Sequence, residues 1–327
     1  TGLNATYCVD EAAAGLEGSP LGGTVSGTGV SGGTFVPSVA DTGSHAVTYV
    51  YTDGNGCTAS QLQGTVVTPL PTVSFSGLSA AYCVSAATAT LTGSPIGGTF
   101  SGPGIISNVF DPAAAGSGTH SIVYVYSDGG GCTDSMLQSV VVNPLPAVTF
   151  SGLDSSYCVD AVAVILSGIP SGGAFTGPGI AGNSFDPAVA GVGTHSINYA
   201  YSDGNGCASD STKIVTVNAL PVVSFTGLNA TYCIDDVAAV LVGNPLGGTF
   251  SGTGVSGGTF VPSVADTGSH AVTYVYTDGN GCAALQVQGT VVTPLPTVSF
   301  SGLLAASWLS TSTATPPGAS IARTFSA

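Results

Sequence analysis

The chain has 327 residues, a formal net charge of −15 and only 6% charged side chains. Two basic residues, Lys213 and Arg323, cannot neutralise a phosphate backbone or an anionic lipid surface, so no nucleic-acid partner is expected. No run of 18 apolar residues occurs, so no membrane insertion by a helix is expected in this segment. Gly at 49 residues and low charge point to many short strands with tight turns rather than to disorder.

The sequence repeats. Tyr7-Cys8 recurs as Tyr82-Cys83, Tyr157-Cys158 and Tyr232-Cys233, each 75 residues on. A second cysteine recurs as Cys57, Cys132, Cys207 and Cys282, and the histidines as His45, His120, His195 and His270. Units 1–75, 76–150, 151–225 and 226–300 therefore follow without insertion. From Pro20 to Cys57 the first unit matches the fourth, Pro245 to Cys282, at every position except Val25 against Phe250, a super-repeat of three units. Residues 301–327 match 76–102 in register, but Trp308, Ser307 and Ala322-Arg323 replace the Cys, the Tyr and the Gly-Gly pair. A degenerate partial unit is expected there, in a chain that reads as a fragment of a longer array.

Unit 2 illustrates the elements in chain order. Val84 to Thr92 leads to the breaker Gly93-Ser94-Pro95, and Gly97 to Gly102 reads as a short strand. Gly104 to Asn108 reads as a turn, Val109 to Pro112 as another short strand, and Gly116 to Thr119 as a loop. His120 to Asp128 gives the strongest strand, with Ile122, Tyr124 and Tyr126 on one face and Ser121, Val123, Val125 and Ser127 on the other. Asp128-Gly129-Gly130-Gly131 is a hairpin turn, followed by a closing strand to Val142 and the stiff joint Pro144-Leu145-Pro146. The Ala-rich pieces Ala12–Leu16 and Ala238–Leu241 read as strand or loop rather than helix. Six or seven short strands per unit predict an all-β antiparallel sandwich. The joints predict domains at 1–68, 69–143, 144–218 and 219–293, with a partial fifth at 294–327.

Sandwiches this small bury a limited core, and paired cysteines then suggest stapling in an oxidising compartment. One disulfide per repeat is expected: Cys8–Cys57, Cys83–Cys132, Cys158–Cys207 and Cys233–Cys282. Pairing Cys57 with Cys83 across the joint is the alternative, and would leave each sandwich unstapled.

Candidate chemistry is sparse. Asp53, Asp128, Asp203 and Asp278 open the glycine turns and are calcium candidates, with Asp10, Asp160 or Asp235 nearby in sequence; the turn-forming habit of Asp explains them without metal. No cofactor is expected otherwise. Histidines repeated once per unit read as parts of the fold. Asn4 and Asn229 open N-glycosylation sequons, and Ser135 and Ser211 follow Asp in an O-glycosylation-like setting. Twelve tyrosines read as core, or as an exposed row able to meet glycans or a neighbouring chain.

The run Gly118 to Ser135 (GTHSIVYVYSDGGGCTDS), with Val140-Val141-Val142-Asn143-Pro144-Leu145-Pro146 after it, resembles the last strands of PKD-like and other immunoglobulin-like repeats. These occur in very large secreted or surface proteins of Bacteroidota-type bacteria, including gliding-associated adhesins. The resemblance spans residues 1–300 and implies a tandem array of immunoglobulin-like sandwiches, no catalytic residues and a place at the bacterial cell surface. The expected function is a stiff rod or self-assembling filament. The alternatives are a passive adhesin stalk and a carbohydrate-binding module of a secreted enzyme.

Overall fold

A computed structural model describes residues 2–299 and residue 301; the degenerate tail expected beyond Ser301 lies outside the described residues. The chain divides into two bodies, Thr1–Ala219 and Leu220–Ala327, each treated by itself. The first holds three repeats and the second the fourth, and every repeat has the same all-β plan.

In unit 2 the strongest expected strand runs Gly118–Ser127 and pairs antiparallel with Thr133–Asn143 along its whole length. Alternation places Ile122 and Tyr124 in the core at 0% and 1% exposure, while Ser121 and Ser127 face solvent. Thr99–Ser101 lies antiparallel against one side of this hairpin. Ala81–Cys83 lies parallel against the other, with Cys83 opposite Asn143. A second layer is built from Ala89–Thr90, Val109–Phe110 and Ile105–Ile106, and from the pair Ser74–Ser76 and Thr92–Ser94. Phe75, Leu91, Phe110, Ile122, Tyr124, Val140 and Val142 close the core between the layers. Equivalent cores centre on Phe35 in unit 1, Phe185 in unit 3 and Phe260 in unit 4.

Several details differ from the sequence reading. Nine strands form unit 2, counting from Ser74, and one pairing in its four-stranded sheet is parallel rather than antiparallel. The turn expected at Gly104 to Asn108 carries the strand Ile105–Ile106. A four-residue helix, Pro112–Ala115, fills the loop after Phe110. Pro112 starts it and Gly116 ends it at φ 75°, while the Asp111 carboxylate accepts from the amides of Ala113 and Ala114; units 1 and 4 form the same helix behind Val36 and Val261 without a side-chain cap. The Ala-rich pieces contain Ala14–Gly15 and Ala239–Val240, both strands as expected.

The breaker Gly93-Ser94-Pro95 is a seat for Tyr124. The Tyr124 hydroxyl accepts from the Gly98 amide at 2.8 Å and donates to the Pro95 carbonyl at 2.5 Å. A Cβ on Gly93 would lie 2.0 Å from the Tyr124 ring, so only glycine lets the backbone reach the ring face. Tyr199 repeats this with Gly168, Gly173 and Pro170.

Unit 1 departs from its neighbours at two core positions. Val25 stands where Phe100, Phe175 and Phe250 pack 4.5–4.6 Å, centroid to centroid, from the tyrosine ring. Beside Val25 lies a half-open pocket of about 260 Å³, bordered by Leu3, Leu16, Val47 and Tyr49 and by the polar Glu17, Gln61 and Gln63. Thr65 stands where units 2 and 3 have Val140 and Val215, and its buried hydroxyl makes no hydrogen bond; Thr290 of unit 4 is the same.

Val25→Phe and Thr65→Val should each stabilise the first unit by about 1–2 kcal/mol, the first by filling that pocket and the second by removing an unpaired buried hydroxyl. Val140→Thr should destabilise the second unit by a similar amount. Calorimetric unfolding of the three variants checks both directions.

Candidate functional site: the joint between units

The candidate site is the place where one unit meets the next, and its geometry follows from the parallel strand. In unit 1, Thr6–Cys8 runs alongside the end of Thr58–Thr68, with Cys8 opposite Thr68. Cys8 therefore sits at the pole from which the chain leaves for Pro69-Leu70-Pro71. Cys57 immediately precedes Thr58, in the hairpin turn at the opposite pole. The strand between them holds the two cysteines roughly 30 Å apart at ~3.3 Å per residue.

A disulfide requires Cα atoms within about 7 Å, so the expected Cys8–Cys57 bridge is excluded by the length of the closing strand. The same strand separates Cys83 from Cys132, Cys158 from Cys207 and Cys233 from Cys282. The four within-repeat pairings are thus corrected. Cys8 is bonded to Cys132 and Cys83 to Cys207, each with Cα atoms 5.5 Å apart and a sequence separation of 124. The alternative Cys57–Cys83 pairing is absent as well. Cys158 and Cys282 are also disulfide-bonded, whereas Cys57 and Cys233 carry free, exposed thiols. Each recorded bridge joins the exit pole of one unit to the hairpin turn of the next.

The turn aspartates build the receiving end of this joint. Asp128 Oδ1 accepts from the amides of Gly130 and Cys132, both at 2.9 Å, and the Cys132 carbonyl accepts from the Asp128 amide at 3.0 Å. Asp53, Asp203 and Asp278 hold the equivalent turns with the same pair of amide contacts. On the exit side, Thr68 Oγ1 donates to the Tyr7 carbonyl and lies 3.0 Å from Cys132 Sγ. The Cys57 and Asn55 amides hold the Asp53 carboxyl below the usual carboxylate range.

The remaining sequence candidates are scattered. Among the described residues, the turn aspartates join no group of three metal-ligating side chains; the one such group is Cys233, Asp235 and Asp236. Each histidine Nε2 hydrogen-bonds the carbonyl four residues earlier: His45 to Asp41, His120 to Gly116, His195 to Gly191 and His270 to Asp266. A carbonyl only accepts, so Nε2 carries the proton, and the ring pins the end of the short helix. Asn4, Asn229 and Ser135 are exposed and Ser211 is half-buried. None of the twelve tyrosines is exposed, so the expected alternative of an open tyrosine row is not present. Sequence reasoning missed the bridges across the joint because nothing local marks a parallel partner some 60 residues away.

No protein-family model matches the sequence, and no curated protein is similar to it. Solved structures do resemble it. A Ca²⁺-stabilized adhesin that helps an Antarctic bacterium bind ice shows 16% identity, covering 89% of this chain and 98% of that one, with a TM-score of 0.29. A tetra-tandem repeat from the extending region of a large adhesion protein shows 12% identity, 82% and 87% coverage and a TM-score of 0.28. The D1–D4 ectodomain fragment of ICAM-5 shows 11% identity, 89% and 98% coverage and a TM-score of 0.34. The chain is a tandem array of small all-β units that share one plan.

Replacing Cys8 and Cys132 together by Ser should leave every core intact and lower resistance to denaturant in both flanking units. The bridge restricts a loop of 124 residues, about 5 kcal/mol in the chain-entropy model. Denaturant melts followed by hydrogen exchange locate the loss.

Because the folded Asp53 carboxyl titrates below its unfolded value, its contribution is present above the unfolded pKa and is lost as pH falls through the folded one. Acidification below about pH 4 should therefore progressively release the Cys57 and Asn55 amides. Asp53→Ala should release them already at pH 7. Amide exchange against pH reads both.

Proposed function

We propose that the chain is a structural extender of an extracellular, surface-attached bacterial protein, in which immunoglobulin-like units are fixed end to end as a stiff rod. The proposed units are 1–68, 69–143, 144–218 and 219–293, with a partial fifth at 294–327. The supporting observation is the bridge from the exit pole of one unit to the hairpin turn of the next. A Pro-Leu-Pro linker alone limits two torsions; a second covalent attachment beside it opposes bending and twisting at the same joint. Disulfides in a regular series suit the outside of a cell. Each unit contributes ~30 Å along its long hairpin, so four make a rod of roughly 120 Å. Low surface charge favours side-by-side or end-to-end association of copies. The PKD-like pattern of the closing strands favours a Bacteroidota-type surface protein. The absence of exposed tyrosine weighs against a sugar-binding platform.

Negative-stain electron microscopy of the chain before and after disulfide reduction tests the reading. Straight particles of near-constant length are expected before reduction, and a several-fold broader spread of joint angles afterwards. Equally bent particles under both conditions would overturn it.

A further inference from the structure

The three Asn-Gly pairs of the sequence, Asn55-Gly56, Asn205-Gly206 and Asn280-Gly281, fall at one place in the fold, the hairpin turn just before the second cysteine of a unit. All three asparagines are exposed. Asparagine is a thermolabile residue. It is most so before glycine, because no side chain shields the glycine amide nitrogen from the asparagine Cγ.

The turn needs the glycine but not the asparagine. Gly206 and Gly281 have φ of 80° and 84°, a conformation that other residues rarely adopt. Unit 2 has Gly130 in the asparagine's place and closes the same turn, with the Gly130 and Cys132 amides on Asp128 Oδ1 and the Gly131 amide on the Asp128 carbonyl. In units 3 and 4 the reactive amide is held on both sides. The Gly206 amide donates to the Asp203 carbonyl at 3.0 Å, and the amides of Asn205 and Cys207 donate to Asp203 Oδ1, both at 2.9 Å. The Gly281 amide donates to the Asp278 carbonyl at 3.1 Å, and the amides of Asn280 and Cys282 donate to Asp278 Oδ1, both at 2.9 Å. One carboxylate thus fixes the residues before and after the glycine, and the glycine nitrogen must leave its own hydrogen bond before it can attack.

We infer that Asn205 and Asn280 are sites of spontaneous deamidation, at a rate set by the opening of the turns that Asp203 and Asp278 hold shut. In the open turn the Gly206 amide gives its proton to solvent base, and its nitrogen attacks Asn205 Cγ. A new C–N bond forms, the Cγ–Nδ2 bond breaks, and ammonia leaves with a proton returned by solvent. Water then opens the cyclic imide at either carbonyl, giving aspartate or isoaspartate. One water is consumed, one ammonia is released and one carboxylate is gained, with no other reactant. The isoaspartate product lengthens the main chain by a methylene in the turn that presents Cys207 to Cys83. The joint between the second and third units therefore loosens as the molecule ages. The inference stands whether or not the units form a rod.

The test incubates the whole chain at neutral pH and follows it by peptide mapping that separates aspartate from isoaspartate. The same chain, reduced and unfolded in guanidinium, supplies the unguarded rates. Asn205 and Asn280 should deamidate in the native chain at least ~10-fold more slowly than in the unfolded one, because a turn held by charge-assisted hydrogen bonds is open only as a minor population. Asp203→Ala should bring Asn205 to within a few-fold of its unfolded rate and leave Asn280 of the same molecules unchanged. Asp203→Asn, which keeps an oxygen for the two amides, should restore most of the protection. Aged chains should lose the Cys83–Cys207 bridge to dithiothreitol several-fold faster than fresh ones, and Asn205→Gly chains, built like the unit 2 turn, should not change with age. Native deamidation as fast as in the unfolded chain, a rate at Asn205 unmoved by Asp203→Ala, or asparagines that survive in every form would overturn the inference. An aged bridge as slow to reduce as a fresh one would overturn its consequence for the joint.

Discussion

The parallel pairing of a three-residue strand with the end of an eleven-residue strand governs this protein. It is a small contact, three register positions in each unit. Yet it decides at which pole the first cysteine stands, and through that every covalent link between units. Had the strand paired antiparallel or with another edge, the same cysteines would have faced a different part of the sandwich. The bridges are a property of the sheet before they are a property of the cysteines.

The units tolerate their shortage of charge because hydrogen bonds to backbone do the ordering that ion pairs do elsewhere. Asp111 orders a helix turn, Asp128 a hairpin, His120 the loop between them, and Tyr124 the breaker before the first flanking strand. Each uses one side chain to satisfy amides or carbonyls that the short strands leave unpaired. Glycine serves the same end from the other side, by letting the main chain approach the Tyr124 ring. A chain with so few charges then exposes few groups that salt would screen.

How much of this could be read in advance depended on range. The Gly118–Ser127 strand was legible because alternation of Ile122, Tyr124 and Tyr126 is local and the turn after it has its own residues. The joints were visible for the same reason, since Pro-Leu-Pro interrupts any strand. The helix Pro112–Ala115 carried a readable signal, Asp before Pro before Ala, but four residues give no period to detect. The bridges were illegible: Cys8 and Thr68 are 60 residues apart, and no pattern says that the strands ending there run in the same direction. Assuming that a small sandwich staples itself led to the wrong partner. The cores hold without a staple, around Phe110 and Tyr124 and their equivalents.

The bridges also set how far the first body can be stretched. A polypeptide of its length, unfolded and pulled from its ends, would pay out about 220 residues, on the order of 700 Å. Here the covalent path jumps from Cys8 to Cys132, returns along the chain to Cys83, and jumps again to Cys207. Only about 70 residues lie on that path, so the taut length falls to roughly 250 Å even with every sandwich melted. The remaining chain hangs in slack loops that bear no load and refold unstrained. A tether built this way yields little under tension, because its limit of extension is written in sulfur rather than in the strength of its cores.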